Sequence, residues 1–73
     1  MRTYLKITFN SDGARPSAVR DALMGLGFQA IHGPHDFVYE WPGAADVEEV
    51  LDFGDRIHAE LSGLGCLFEM ETV

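Results

Sequence analysis

Residues able to do chemistry gather in one short stretch, His32-Gly33-Pro34-His35-Asp36. Two imidazoles and a carboxylate this close together are donor types that a divalent metal selects. A closed site needs a fourth donor, which His58, a glutamate or a second subunit would have to supply. Without it His32, His35 and Asp36 read as turn and surface groups, and a histidine beside a carboxylate is not by itself an acid–base machine. No Ser-His-Asp order, activated Cys-His pair, glycine-rich phosphate loop or redox motif can be assembled from the remaining residues. The one cysteine, Cys66, stands among Leu64, Leu67 and Phe68. A small buried hydrophobe is expected there, not a reactive thiol. No cofactor is expected, and the composition of this stretch favours binding over catalysis.

The charge balance narrows what could be bound. Twelve acids against five bases give a net charge of −7 over 73 residues, which repels phosphates and offers no basic stripe for a nucleic-acid backbone. No direct nucleic-acid partner is expected. The longest apolar run is far short of the ~20 residues of a membrane span, and the N-terminus opens on an amphipathic strand instead of a leader-like segment. The expectation is one soluble, cytoplasmic domain covering residues 1–73. A chain of this size buries only about 60% of the surface its unfolded form exposes, so its core is thin.

The elements that must position the histidine stretch follow from periodicity. Thr3, Leu5, Ile7 and Phe9 alternate with Arg2, Tyr4, Lys6 and Thr8, the period-2 pattern of a strand with one buried face. Asn10 to Gly13 form a polar turn, and Pro16 supplies the fixed φ favoured at a helix start. Val19, Ala22, Leu23 and Leu26 mark the buried stripe of that helix, and Gly27 suits the left-handed position that ends it. Phe28 to Ile31 and Phe37 to Trp41 read as two strands joined through the histidine stretch. Asp46 and Glu49 have the spacing of a capping box. Val47, Val50, Leu51, Gly54, Ile57 and Leu61 then trace one helical face, with Phe53 off it and Gly54 letting the backbone approach the sheet. Trp41 and Phe53 are expected at the core's edge or as interface anchors. Gly63 and Gly65 end the helix, and a last strand begins at Cys66.

The order βαββαβ is the split βαβ arrangement: an α+β, ferredoxin-like fold, a four-stranded antiparallel sheet with two helices on one face and the first strand between the third and fourth. Leu5, Ile7, Phe9, Phe37, Tyr39, Trp41, Phe68 and Met70 would face the helices. The open face would carry Tyr4, Lys6, Thr8, Val38, Glu40, Leu67, Glu69 and Glu71, with Lys6 flanked by Glu40 and by Glu69 or Glu71. Tyr4, Val38 and Leu67 left in water on so small a domain point to a homodimer, or a higher oligomer, paired through this face. A ligand site there would be lined by Tyr4, Lys6, Glu40 and Glu69.

From Ile31 to Thr72 the chain resembles the ligand-sensing C-terminal domain of leucine-responsive (Lrp/AsnC) regulators and related small dimeric α/β-barrel proteins. The likeness is carried by Gly33-Pro34-His35-Asp36-Phe37-Val38, the acid-capped helix and the closing Gly63-Leu64-Gly65. It implies dimers whose sheets face each other and a small-molecule pocket shaped by Gly33, Asp36 and Phe37. His35 replaces the usual aromatic before the aspartate, and no helix-turn-helix precedes the domain. The expected function is therefore a stand-alone small-molecule-sensing or assembly domain without its own DNA-binding segment. The alternatives are a small dimeric barrel enzyme, a metal-dependent nuclease-like protein and a non-catalytic subunit of a larger complex. For the nuclease, Asn10 and Asp12 are similar in placement to an acid of small ferredoxin-like endoribonucleases, a reading the negative charge disfavours.

Overall fold

A computed structural model describes residues 1–73. Its elements are β1 (Arg2–Thr8), α1 (Pro16–Gly25), β2 (Gln29–Ala30), β3 (Phe37–Glu40), α2 (Val47–Leu61) and β4 (Leu67–Thr72). The sheet is antiparallel with order β2-β3-β1-β4, the ferredoxin-like arrangement the element order implies. The elements fall where local chemistry puts them. Pro16 opens α1, and Gly27, at φ 101°, turns the chain out of it. At the start of α2 the Asp46 carboxylate accepts from the Glu49 N–H at 2.9 Å while Glu49 reaches back to the Asp46 N–H. Both free amides are thus satisfied reciprocally.

The strands are shorter than their apolar patterns. β1 stops at Thr8, so Phe9 is not a core residue: it lies beyond the last rung with β4, 41% exposed, where no partner strand covers it. β2 is only Gln29–Ala30, β3 ends at Glu40 ahead of Trp41, and Cys66 precedes β4 half-buried against the core.

Between sheet and helices lies a core of Leu5, Ile7, Val19, Leu23, Phe28, Phe37, Phe53, Ile57 and Leu61. Only 11 residues of 73 are buried, so each carries a large share of the stability. Phe53 is central to it, contrary to the expected stripe. Its ring stacks on Phe28 at 5.5 Å, lies 4.5 Å from Tyr39 and meets Trp41 edge-on at 5.2 Å. Such an aromatic group buries more area than an aliphatic pair could, and it turns the helix so that Val47 and Leu51 face outward, 73% and 56% exposed. The polar end of this cluster is also satisfied. The Trp41 Nε1–H donates to the buried Thr3 Oγ1 at 2.8 Å, and Thr3 shares a second 2.8 Å hydrogen bond with Thr72.

Two loops close the end of the sheet opposite Met1 and Val73. A methyl group on Gly13 would lie 2.7 Å from the Gly65 carbonyl oxygen, and Gly65 itself holds φ 66°. Both must therefore be glycine for the backbones to touch, and Ala14 N–H then donates to Leu64 O at 2.8 Å.

Candidate functional site

The hairpin between β2 and β3 is the segment the sequence singled out, and its backbone is held by Asp36. The Asp36 N–H donates to Leu5 O at 2.8 Å, its carbonyl accepts from Ile31 N–H at 2.9 Å, and its carboxylate accepts from Ile7 N–H at 2.8 Å. The side chain thus stands in for a ladder carbonyl where β3 no longer runs beside β1. Gly33, at φ 115°, makes the turn, a conformation with little cost only for glycine.

This anchoring delivers His35 to the open face of the sheet. Its ring packs against Tyr4 of β1, centroids 4.9 Å apart, and its Nε2 lies 3.2 Å from the Glu71 carboxylate of β4. A carboxylate can only accept, so Nε2 is the donor in this contact. One hairpin residue therefore ties the β2–β3 connection to both β1 and β4. The arrangement can present an oriented imidazole beside a phenol and can hold a polar group of a ligand or a partner.

The remaining residues of that face are arranged by register. Arg2 stands opposite Glu40, and its Nε donates to the Glu40 carboxylate at 2.8 Å. Hydrogen bonding toward Tyr4 and then Glu40 pushes the guanidinium pKa further up. Glu40 is consequently taken by Arg2 and does not flank Lys6. Lys6 stands opposite Glu69 and forms no ion pair within the chain; the three that exist join Arg2 to Glu40, Arg20 to Asp21 and His35 to Glu71. Val38, expected in water, is only 8% exposed between Tyr4 and Gln29, whereas Leu67 is 72% exposed.

Of the expected site residues, the fold brings Tyr4 and His35 into contact, places Lys6 and Glu69 side by side, and leaves Gly33 to the turn. Phe37 is buried in the core. Asp36 and Phe37 also border a hollow of about 310 Å³ on the helix side, with Phe9, Ser17 and Arg20. His32, His35 and Asp36 do not converge, and no group of three His, Cys, Asp or Glu side chains is placed to hold a metal ion. Asn10 and Asp12 serve the turn, Asn10 Oδ1 accepting from Asp12 N–H at 2.9 Å. Sequence reasoning left out Arg2 and gave Glu71 no specific partner; the signal available was that Arg2, Tyr4 and Lys6 share one side of β1.

No protein-family model matches the chain, and no curated protein or solved structure was found to match it. The ferredoxin-like arrangement therefore stands on the topology alone. No helix is long and apolar enough to cross a membrane.

Proposed function

We propose that this chain is a binding and assembly module that works as a homodimer through the open face of its sheet, with a small ligand seated beside the β2–β3 hairpin. The observation that carries the reading is the placement of His35 over Tyr4 and against Glu71, which puts the one elaborated hairpin residue in the middle of that face. The charges fit a second copy. Arg2 and Lys6 line one column on β1, and Glu69 and Glu71 line the next on β4; a twofold axis between the columns would set bases over acids, and exposed Leu67 would gain apolar cover. The resemblance of Gly33, Asp36 and Phe37 to the sensing domain of leucine-responsive regulators supports the ligand half, as does the hollow bordered by Asp36 and Phe37.

The test is a mass measurement on charge variants. Sedimentation at micromolar concentration should give twice the 8.1 kDa chain mass. Lys6→Glu should give monomers, and Lys6→Glu combined with Glu69→Lys should restore the dimer. A monomeric parent sinks the assembly reading. Amide shifts from small carboxylates and amines that miss Ser17 and Phe37 sink the ligand half.

A further inference from the structure

The most apolar depression on the molecule is far from the hairpin. It lies where the first two turns of α2 run past the start of β1 and the end of β4, and has a volume of about 310 Å³. Met1, Val47, Val50, Leu51 and Val73 line it, and four of these five, all but Val50, are counted among the exposed large hydrophobics, from 41% to 73%. Since ~150 Å³ holds a benzene-sized group, the depression has room for about two apolar side chains. Contiguous exposed apolar surface with a polar rim marks an interaction site more often than an accident of folding.

The rim says what kind of partner. On a helix, positions three and four apart are neighbours, which places Glu48 and Asp55 beside Leu51, and Asp52 beside both of those acids' row. All three are exposed, and none belongs to any of the chain's three ion pairs. The nearest base along the helix, Arg56, leans over the Phe53 ring at 5.8 Å and so turns away toward the core side. An apolar floor with uncompensated carboxylates along one side is complementary to a segment carrying apolar residues at helical spacing and Lys or Arg beside them. It is not complementary to a second copy, whose own acidic rim would face it, nor to an anionic membrane.

We infer that this depression is a docking groove for a basic amphipathic helix of a partner protein. The site is separate from the open sheet face, and does not depend on the dimer. The probe is an 18-residue Leu/Lys peptide with leucines at i, i+3, i+4 and i+7, titrated into the isotope-labelled full chain; its control is a scrambled peptide of equal composition.

The amphipathic peptide should bind at least tenfold more tightly than the scrambled one, with shifts concentrated at Val47, Val50, Leu51 and Val73. Val47→Ser with Leu51→Ser, both at exposed positions, should weaken binding about tenfold while lowering the melting temperature by only a few degrees. Asp52→Asn with Asp55→Asn should weaken it and flatten its salt dependence. Equal binding of the scrambled peptide would overturn the inference, because it leaves only diffuse attraction to an acidic protein. Concentration-dependent shifts at Leu51 without peptide would overturn it too, by making a second copy the occupant. The Lys6→Glu variant must still bind the peptide, so failure of the groove and failure of the dimer are told apart.

Discussion

Helix α2 has two apolar flanks that look alike in sequence and differ in fate. Along one, Phe53, Ile57 and Leu61 repeat every four residues and are at most 5% exposed. Along the other, Val47 and Leu51 have the same spacing and stand in water. Periodicity alone cannot rank them. What separates them is the opposing surface: the inner flank meets Phe28, Tyr39 and Trp41, whereas the outer one runs past the start of β1 and the end of β4, beside Met1 and Val73. A helical stripe is core when the sheet beneath it is long enough, and otherwise it is surface that a partner can use.

The sharpest way to break this comparison is to truncate one residue from each flank. Phe53→Ala removes the ring that joins three other aromatics, at a cost of about 3–5 kcal/mol. That is much of the roughly 4–10 kcal/mol a chain of this length holds, so its urea midpoint should fall by about a third or more. Leu51→Ala should shift stability by no more than about 0.5 kcal/mol. If both variants unfold alike, the outer flank is already buried, and the groove has no free surface to offer.

A smaller effect tests the polar edge of the inner flank. Thr3→Val keeps the shape but leaves Trp41 Nε1–H and the Thr72 hydroxyl without the partner they share. Stranding a part-buried donor costs about 1–3 kcal/mol, and a stability curve from chemical denaturation measures it. Thr3→Ser keeps the oxygen and should recover most of the hydrogen-bond loss. An unchanged Thr3→Val would mean that Trp41 is held by packing alone.

How much of this was legible in the sequence depends on the range of the deciding interaction. The element order, the capping box of Asp46 and Glu49, Pro16 at a helix start and Gly27 at a helix end are local, and the residues named them. Phe53 was misplaced because its burial depends on Phe28 and Trp41, which come from two other segments. Val38 and Phe9 were misassigned for a related reason: alternation assigns a side of the strand but not its neighbours or its end. In the candidate site, Tyr4, Lys6, Glu40 and Glu69 were found on one face, yet the Arg2–Glu40 pair needed the β1–β3 register. The reach of His35 to Glu71 needed the hairpin's path, which Asp36 sets with its carboxylate on Ile7 N–H. No one-dimensional pattern encodes that contact.

A modest effect, and the only one of opposite sign, concerns the residue between the two flanks. Gly54 was expected to let α2 approach the sheet, which would make any side chain there harmful. The distances say otherwise: a methyl group at this position would lie 3.5 Å from Met70 Sδ and 3.6 Å from its Cε, an ordinary contact with the flexible end of a side chain. The helix gains from alanine, since glycine costs ~1 kcal/mol in a helix interior, partly through the freedom it restores to the unfolded chain. Gly54→Ala should therefore stabilise the fold by about 0.5–1 kcal/mol, read as a higher urea midpoint at unchanged slope. It should also leave peptide binding at the outer flank intact, because Gly54 packs toward β4 and not toward Leu51. A loss of stability would mean that α2 lies closer to β4 than these contacts allow. The boundary between buried and free flank would then have to be drawn nearer to Val47.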